Sequence, residues 1–211
     1  MKTQWKLAVL LAAGALAIRA EAALSWDLAG DFVGTPLDAP PEILVADSPN
    51  GAWTYGGEQV WKNVSSVPAY SINPGHVSLG AHLQDSSWAT WTSPINGAVD
   101  VSGAFGSVPY LDTFGIGNNV RTRLIFQDGT GIYNIVDGWS VDSFHFNNLS
   151  VHVGDTITFE VTANEAIAYA GNVQTDALIT AVPEPTTMIA GALLLLPFGA
   201  STLRVLRRHT A

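Results

Sequence analysis

Between positions 156 and 162 the chain reads Thr-Ile-Thr-Phe-Glu-Val-Thr, with an apolar residue at every second place. That alternation sets Ile157, Phe159 and Val161 on one face of an extended strand and Thr156, Thr158, Glu160 and Thr162 on the other, so one face is buried and one is wet. Gly154-Asp155 just before it is a tight-turn dipeptide, and Asp128-Gly129 between 121–127 and 132–136 reads as a hairpin turn. Further short strands are predicted at 24–28, 52–55, 76–79, 87–92, 98–102, 143–146 and 177–181. Gly, Pro, Asn, Asp and Ser fill the gaps between them, helical spacing is hard to find, and no internal repeat recurs at a fixed period. The pattern predicts an all-β domain: two antiparallel sheets packed as a β-sandwich.

The two ends read differently. Lys2 and Lys6 precede an apolar run at 7–18, and Ala20-Glu21-Ala22 supplies the small residues that signal peptidase requires. The run is shorter than the roughly 20 apolar residues that span a bilayer, so residues 1–22 are expected to be a signal peptide cut after Ala22. At Val182 the character changes again. Pro183-Glu184-Pro185 is followed by the uncharged stretch 186–203 and then by Arg204, Arg207 and Arg208. That stretch approaches transmembrane length, Pro197 within it is tolerable in lipid, and the arginines beyond it would stay cytoplasmic, leaving the middle of the chain outside. The expected organisation is a signal peptide at 1–22, a β-sandwich ectodomain at 23–181 and a tail at 182–211.

Taken in order, the Pro-Glu-Pro motif, the apolar helix and the Arg cluster (VPEPTTMIAGALLLLPFGASTLRVLRR) resemble the PEP-CTERM sorting signal of Gram-negative bacteria. The resemblance implies processing by an exosortase, a membrane-embedded cysteine transpeptidase, after export through the Sec machinery. Pro183, Glu184 and Pro185 would form the sorting motif, and Arg204, Arg207 and Arg208 the cluster that holds the helix in the inner membrane. The destination it implies is the cell surface or extracellular matrix of a bacterium that makes extracellular polysaccharide. Three segments of the middle, SPNGAWTYG (48–56), ATWTSPINGAVDVSGAFG (89–106) and VGDTITFEV (153–161), resemble a recurring ectodomain of such proteins. That ectodomain looks like the jelly-roll domains of carbohydrate-binding modules. This chain carries Ser78-Leu79-Gly80-Ala81-His82 where those proteins more often read Leu-His-Pro-Gly.

Charge sharpens the picture once the ends are set aside. Within 23–181 only Lys62, Arg121 and Arg123 are basic, against sixteen acidic residues, a net of −13. Such a surface repels phosphate backbones and anionic polymers, which argues against nucleic acid and leaves neutral glycans or divalent cations as partner classes. The chain has no cysteine, so thiol catalysis, thiolate metal sites and disulfides are all excluded.

Six tryptophans remain after export: Trp26, Trp53, Trp61, Trp88, Trp91 and Trp139. Exposed indoles stack on pyranose rings, whereas strand aromatics are more often core. Trp53, Trp88 and Trp91 are the candidate glycan contacts, and alternation along 87–92 puts Trp88 and Trp91 on opposite faces. His76, His82, His145 and His152 show no close metal spacing, and Asp142 with His145 lacks any Gly-x-Ser-x-Gly elbow. No pair among the acids is singled out for glycoside hydrolysis. No cofactor is expected. A structural calcium ion rests on the acid count alone, because no Asp-x-Asp-x-Asp-Gly loop is present. The sequons Asn63-Val64-Ser65 and Asn148-Leu149-Ser150 are read as chance. The sequence therefore points to a noncatalytic surface or matrix protein, with a polysaccharide-binding module as the alternative and a hydrolase a distant third.

Overall fold

The structure is a computed structural model that describes residues 24–37, 42–47, 49, 51–57, 59–70, 72–80, 85–106, 120–138, 143–163 and 172–183. Residues 1–22, expected to be a signal peptide, the tail from Glu184 onward, Trp139, His82 and Asp142 lie outside the described residues. Among the described residues no helix is long and apolar enough to cross a membrane.

Among the described residues, the regular elements of the unit Ser25–Thr180 are all strands. In chain order these are β1 (Ser25–Asp27), β2 (Gly34–Pro36), β3 (Ile43–Ala46), β4 (Trp53–Gly57), β5 (Gln59–Asn63) and β6 (Val77–Gly80). They continue as β7 (Ser86–Thr92), β8 (Gly97–Gly106), β9 (Val120–Gln127), β10 (Ile132–Gly138), β11 (Ser143–Val151), β12 (Thr156–Ala163) and β13 (Asn172–Val182). One sheet runs β11-β8-β13-β6-β5-β3-β2, with β1 paired to the far part of β13, and the other runs β10-β9-β12-β7-β4. Each register that can be read is antiparallel.

The inward face of β12 does what its alternation predicts: Ile157, Phe159 and Val161 are fully buried. Phe159 packs between Trp53 on its own sheet and Phe144 of β11 on the other, at ring-centroid distances of 6.0 and 5.7 Å. Trp91 meets Trp26 of β1 across the same interior, at 5.1 Å. These rings, with Leu79, Val99, Val101, Phe105, Leu124 and Ile179, form one continuous core between the sheets. The all-β antiparallel sandwich is thus the observed architecture.

Three strands escaped the sequence reading, β2, β3 and β5. In β5, neighbouring Val60 and Trp61 are both buried. Val60 faces the main core, whereas Trp61 packs on the outer side of the sheet with Ile43, Ala69 and Ile72. Burial on both faces erases the period-two signal. β2 carries Pro36, which a strand at the rim of a sheet accommodates because one edge of its backbone is not laddered.

The segment after β5 is pinned by Asn63, which is fully buried. Its amide donates to the carbonyls of Val67 and Ile72 at 2.9 and 2.8 Å, and its Oδ1 accepts from the Ser65 amide and hydroxyl at 3.0 and 2.7 Å. A side chain so enclosed is a structural residue rather than a glycan acceptor.

Candidate functional site

The outer face of the five-stranded sheet is laid out by register. On β7, Ser87, Ala89 and Trp91 point inward, which turns Ser86, Trp88, Thr90 and Thr92 outward. Trp88 stands opposite Gly56 of β4 on one side and Glu160 of β12 on the other. Glu160 in turn stands opposite Arg123 of β9, and Arg123 opposite Asp137 of β10. A single row, Gly56–Trp88–Glu160–Arg123–Asp137, therefore crosses all five strands, a span of roughly 19 Å at the usual strand spacing.

Each position in the row has a physical reason. A Cβ at Gly56 would fall 2.1 Å from Cζ2 of the Trp88 indole and 2.5 Å from its Cη2. Only a glycine lets the ring lie over β4 there. Beside the ring, Arg123 Nη2 donates to Glu160 Oε1 at 2.6 Å, and the Thr162 hydroxyl donates to the same oxygen at 3.2 Å. Glu160 is 9% exposed although it belongs to the outer face. Arg121, two residues from Arg123 on the same face, grips Asp137 through both Nε and Nη2. Next to the row the hydroxyls of Thr90 and Thr158 bond at 2.7 Å, and Thr54 and Ile125 extend that second row. The face is an indole set among hydroxyls and two arginine–carboxylate pairs.

The three candidate tryptophans separate accordingly. Trp88 is half-exposed on this face. Trp53 and Trp91, at 1% and 0% exposure, belong to the core, and their assignment as glycan contacts is corrected: their strand parity sends them inward against Phe159 and Trp26. Trp61 is buried on the other sheet, where its Nε1 donates to Asn172 Oδ1 at 3.3 Å.

The histidines do not converge. His76 Nδ1 lies 2.6 Å from Asp176 Oδ1, His145 Nε2 is 2.7 Å from Asn147 Oδ1, and the His152 amide donates to Asp155 Oδ2 at 2.7 Å. Among the described residues no group of three or more His, Cys, Asp or Glu side chains could hold a metal ion. Pro183, just past β13, is exposed; the rest of the sorting motif and Arg204, Arg207 and Arg208 lie outside the described residues. The residues that sequence reasoning missed are Gly56, Arg121, Arg123, Asp137 and Glu160. Glu160 carried a signal, its polar position in the 156–162 alternation; its neighbours come only from pairing.

Arg121 holds the Asp137 carboxyl below the usual carboxylate range, chiefly by hydrogen bonding, and is itself raised by that bond. In the β9–β10 turn, the Thr130 hydroxyl and the Thr130 and Gly131 amides lower Asp128. A carboxyl depressed by folding stabilises in full above its unfolded value near pH 3.9 and loses that contribution as pH falls through its folded value. Both groups are exposed, so the slope is shallow. Melting temperature is expected to be insensitive to these two groups above about pH 5 and to fall in acid below about pH 4, with a smaller acid loss in Asp137→Asn; thermal melts against pH check both. An equal acid loss in the variant would show that the pair contributes nothing.

No family model matches the chain, and no curated protein matches it. Solved structures do. A structure titled as TmCBM61 in complex with β-1,4-galactotriose is 17% identical, covers 64% of this chain and 90% of its own, and has a TM-score of 0.40. A xylan-binding module CBM15 is 16% identical over 67% of this chain and 97% of its own, with a TM-score of 0.34. A family 35 carbohydrate-binding module from Clostridium thermocellum is 12% identical over 74% and 97%, with a TM-score of 0.29. The chain is similar to these modules at low identity, and the chemistry of its outer face is derived from its own residues.

Proposed function

We propose that the sandwich is a noncatalytic polysaccharide-binding domain of an exported protein, and that residues 182–211 act as a PEP-CTERM-type sorting signal read by an exosortase. The observation that carries the binding reading is Trp88, partly exposed on a polar sheet face, next to the edge strand β4 and seated over Gly56. An aromatic face gives a pyranose ring a large apolar contact at little entropic cost, and the adjoining hydroxyls, guanidinium groups and carboxylates supply both donors and acceptors for sugar hydroxyls. Binding is favoured over hydrolysis because both carboxylates of the row are engaged by arginine. A glycosidase needs one carboxylic acid kept protonated as the proton donor, and the Arg121 hydrogen bond shifts Asp137 the opposite way.

Affinity electrophoresis of the 23–181 fragment through gels containing neutral cellulose derivatives, galactan, mannan or xylan tests the binding reading. Retardation by at least one is expected; free migration through all of them would favour a matrix component without a glycan ligand. The sorting reading has its own test. Protein recovered from the host surface is expected to end near Pro183-Glu184-Pro185, whereas a mature chain still ending in His209-Thr210-Ala211, unaltered by loss of the exosortase, would leave a plain membrane anchor.

A further inference from the structure

We propose that the Arg123–Glu160 and Arg121–Asp137 pairs set the specificity of this face for uncharged polysaccharides, the two carboxylates acting to hold off uronate-bearing chains. The inference rests on the glycan-binding reading of Trp88. Only three Lys or Arg side chains lie between 23 and 181, and two of them, Arg121 and Arg123, stand on the outer face of the five-stranded sheet, on β9, two strands from Trp88 with Glu160 of β12 between. The third, Lys62, donates its ammonium to the Ala29 carbonyl on the other sheet.

A bare guanidinium on the same face as a sugar-stacking ring would recognise a uronate, because its fork donates to two carboxylate oxygens in plane. Here each guanidinium already has a carboxylate on it, Arg121 at two nitrogens and Arg123 at one, the Arg123 Nε being buried and unpartnered among the described residues. Asp137 takes two donors of Arg121, and Glu160 takes an Nη2 bond from Arg123 while packed to 9% exposure. Two positive and two negative groups leave the face locally balanced within a domain of net charge −13. A uronate would have to displace a protein carboxylate and leave it uncompensated. A sugar hydroxyl need displace nothing, since it both donates and accepts, and a paired guanidinium and carboxylate still offer spare capacity for each.

The test is affinity electrophoresis of the full chain in gels containing either polygalacturonate or hydroxyethyl cellulose. Asp137→Asn and Glu160→Gln each unmask one arginine. Asp47→Asn removes the same charge beside β2, where the Thr35 hydroxyl bonds to Asp47 at 2.9 Å, and leaves both arginines paired. Wild type and Asp47→Asn should run freely through polygalacturonate. Asp137→Asn and Glu160→Gln should gain affinity for it on the order of tenfold, as expected for a newly available charge-assisted bond. Added salt should abolish the gain. Retardation of wild type by polygalacturonate would overturn the proposal, as would unmasked variants that melt like wild type and bind polygalacturonate no better than Asp47→Asn. Should Glu160→Gln fail to fold, the exposed Asp137 position decides alone. Trp88→Ala keeps the two readings apart: neutral-polymer binding that survives it refutes the platform, whereas continued exclusion of uronate by the unmasked variants refutes only the specificity assignment.

Discussion

Phe159→Ala is expected to destabilise the sandwich by about 3–5 kcal/mol, the range for deleting a fully buried phenylalanine. The ring is 0% exposed and wedges between Trp53 of one sheet and Phe144 of the other, so its removal opens a cavity at the seam rather than at the margin of the core. Domains of this size have total stabilities of roughly 5–15 kcal/mol, so the loss is a large fraction of the whole. It should appear as a fall in melting temperature on the order of 10 °C. Thr158→Ala is the control on the same strand. It faces outward, loses one hydroxyl contact with Thr90, and should stay within about 1 kcal/mol of wild type. A Phe159→Ala protein melting within about 2 °C of wild type would mean that the register of β12 is wrong.

That strand was readable because its two faces meet different solvents. β5 was not, because Val60 and Trp61 are buried on opposite sides of the same sheet. The site shows the same division. Ser86, Thr90 and Thr92 share the parity of Trp88, so the polarity of its face is written along β7 itself. Thr54 and Gly56 mark the outward parity of β4 in the same way and consign Trp53 to the core. What one strand cannot disclose is its neighbour. The meeting of Trp88 with Glu160, of Glu160 with Arg123 and of Arg121 with Asp137 depends on registers between residues up to 72 positions apart in the chain, and no local pattern encodes them. Gly56 shows the limit most plainly: it lies just past the strand predicted at 52–55, and nothing local tells that its lack of a Cβ makes room for an indole from β7.

Trp88→Ala carries the second large effect. If the indole is the anchor of the binding face, truncating it should cost at least about 2 kcal/mol of binding, roughly a thirtyfold loss of affinity for the neutral polymer that retains the wild-type domain. Stability should change far less than in Phe159→Ala, because the ring is partly exposed and lies outside the core cluster. Affinity electrophoresis together with thermal melts gives both quantities. Wild-type affinity in Trp88→Ala would remove the indole from the account, and a collapse of the melting temperature would reassign it to packing.

The most direct measurement follows the tryptophan indole N–H resonances of the 15N-labelled domain while a neutral oligosaccharide from the retaining polymer is titrated in. The account predicts that the Trp88 resonance moves first and furthest, while those of Trp53 and Trp91, buried in the core, and of Trp61, buried against Ile43, Ala69 and Ile72, hold still. Saturable binding that leaves Trp88 unmoved and shifts another indole would contradict it.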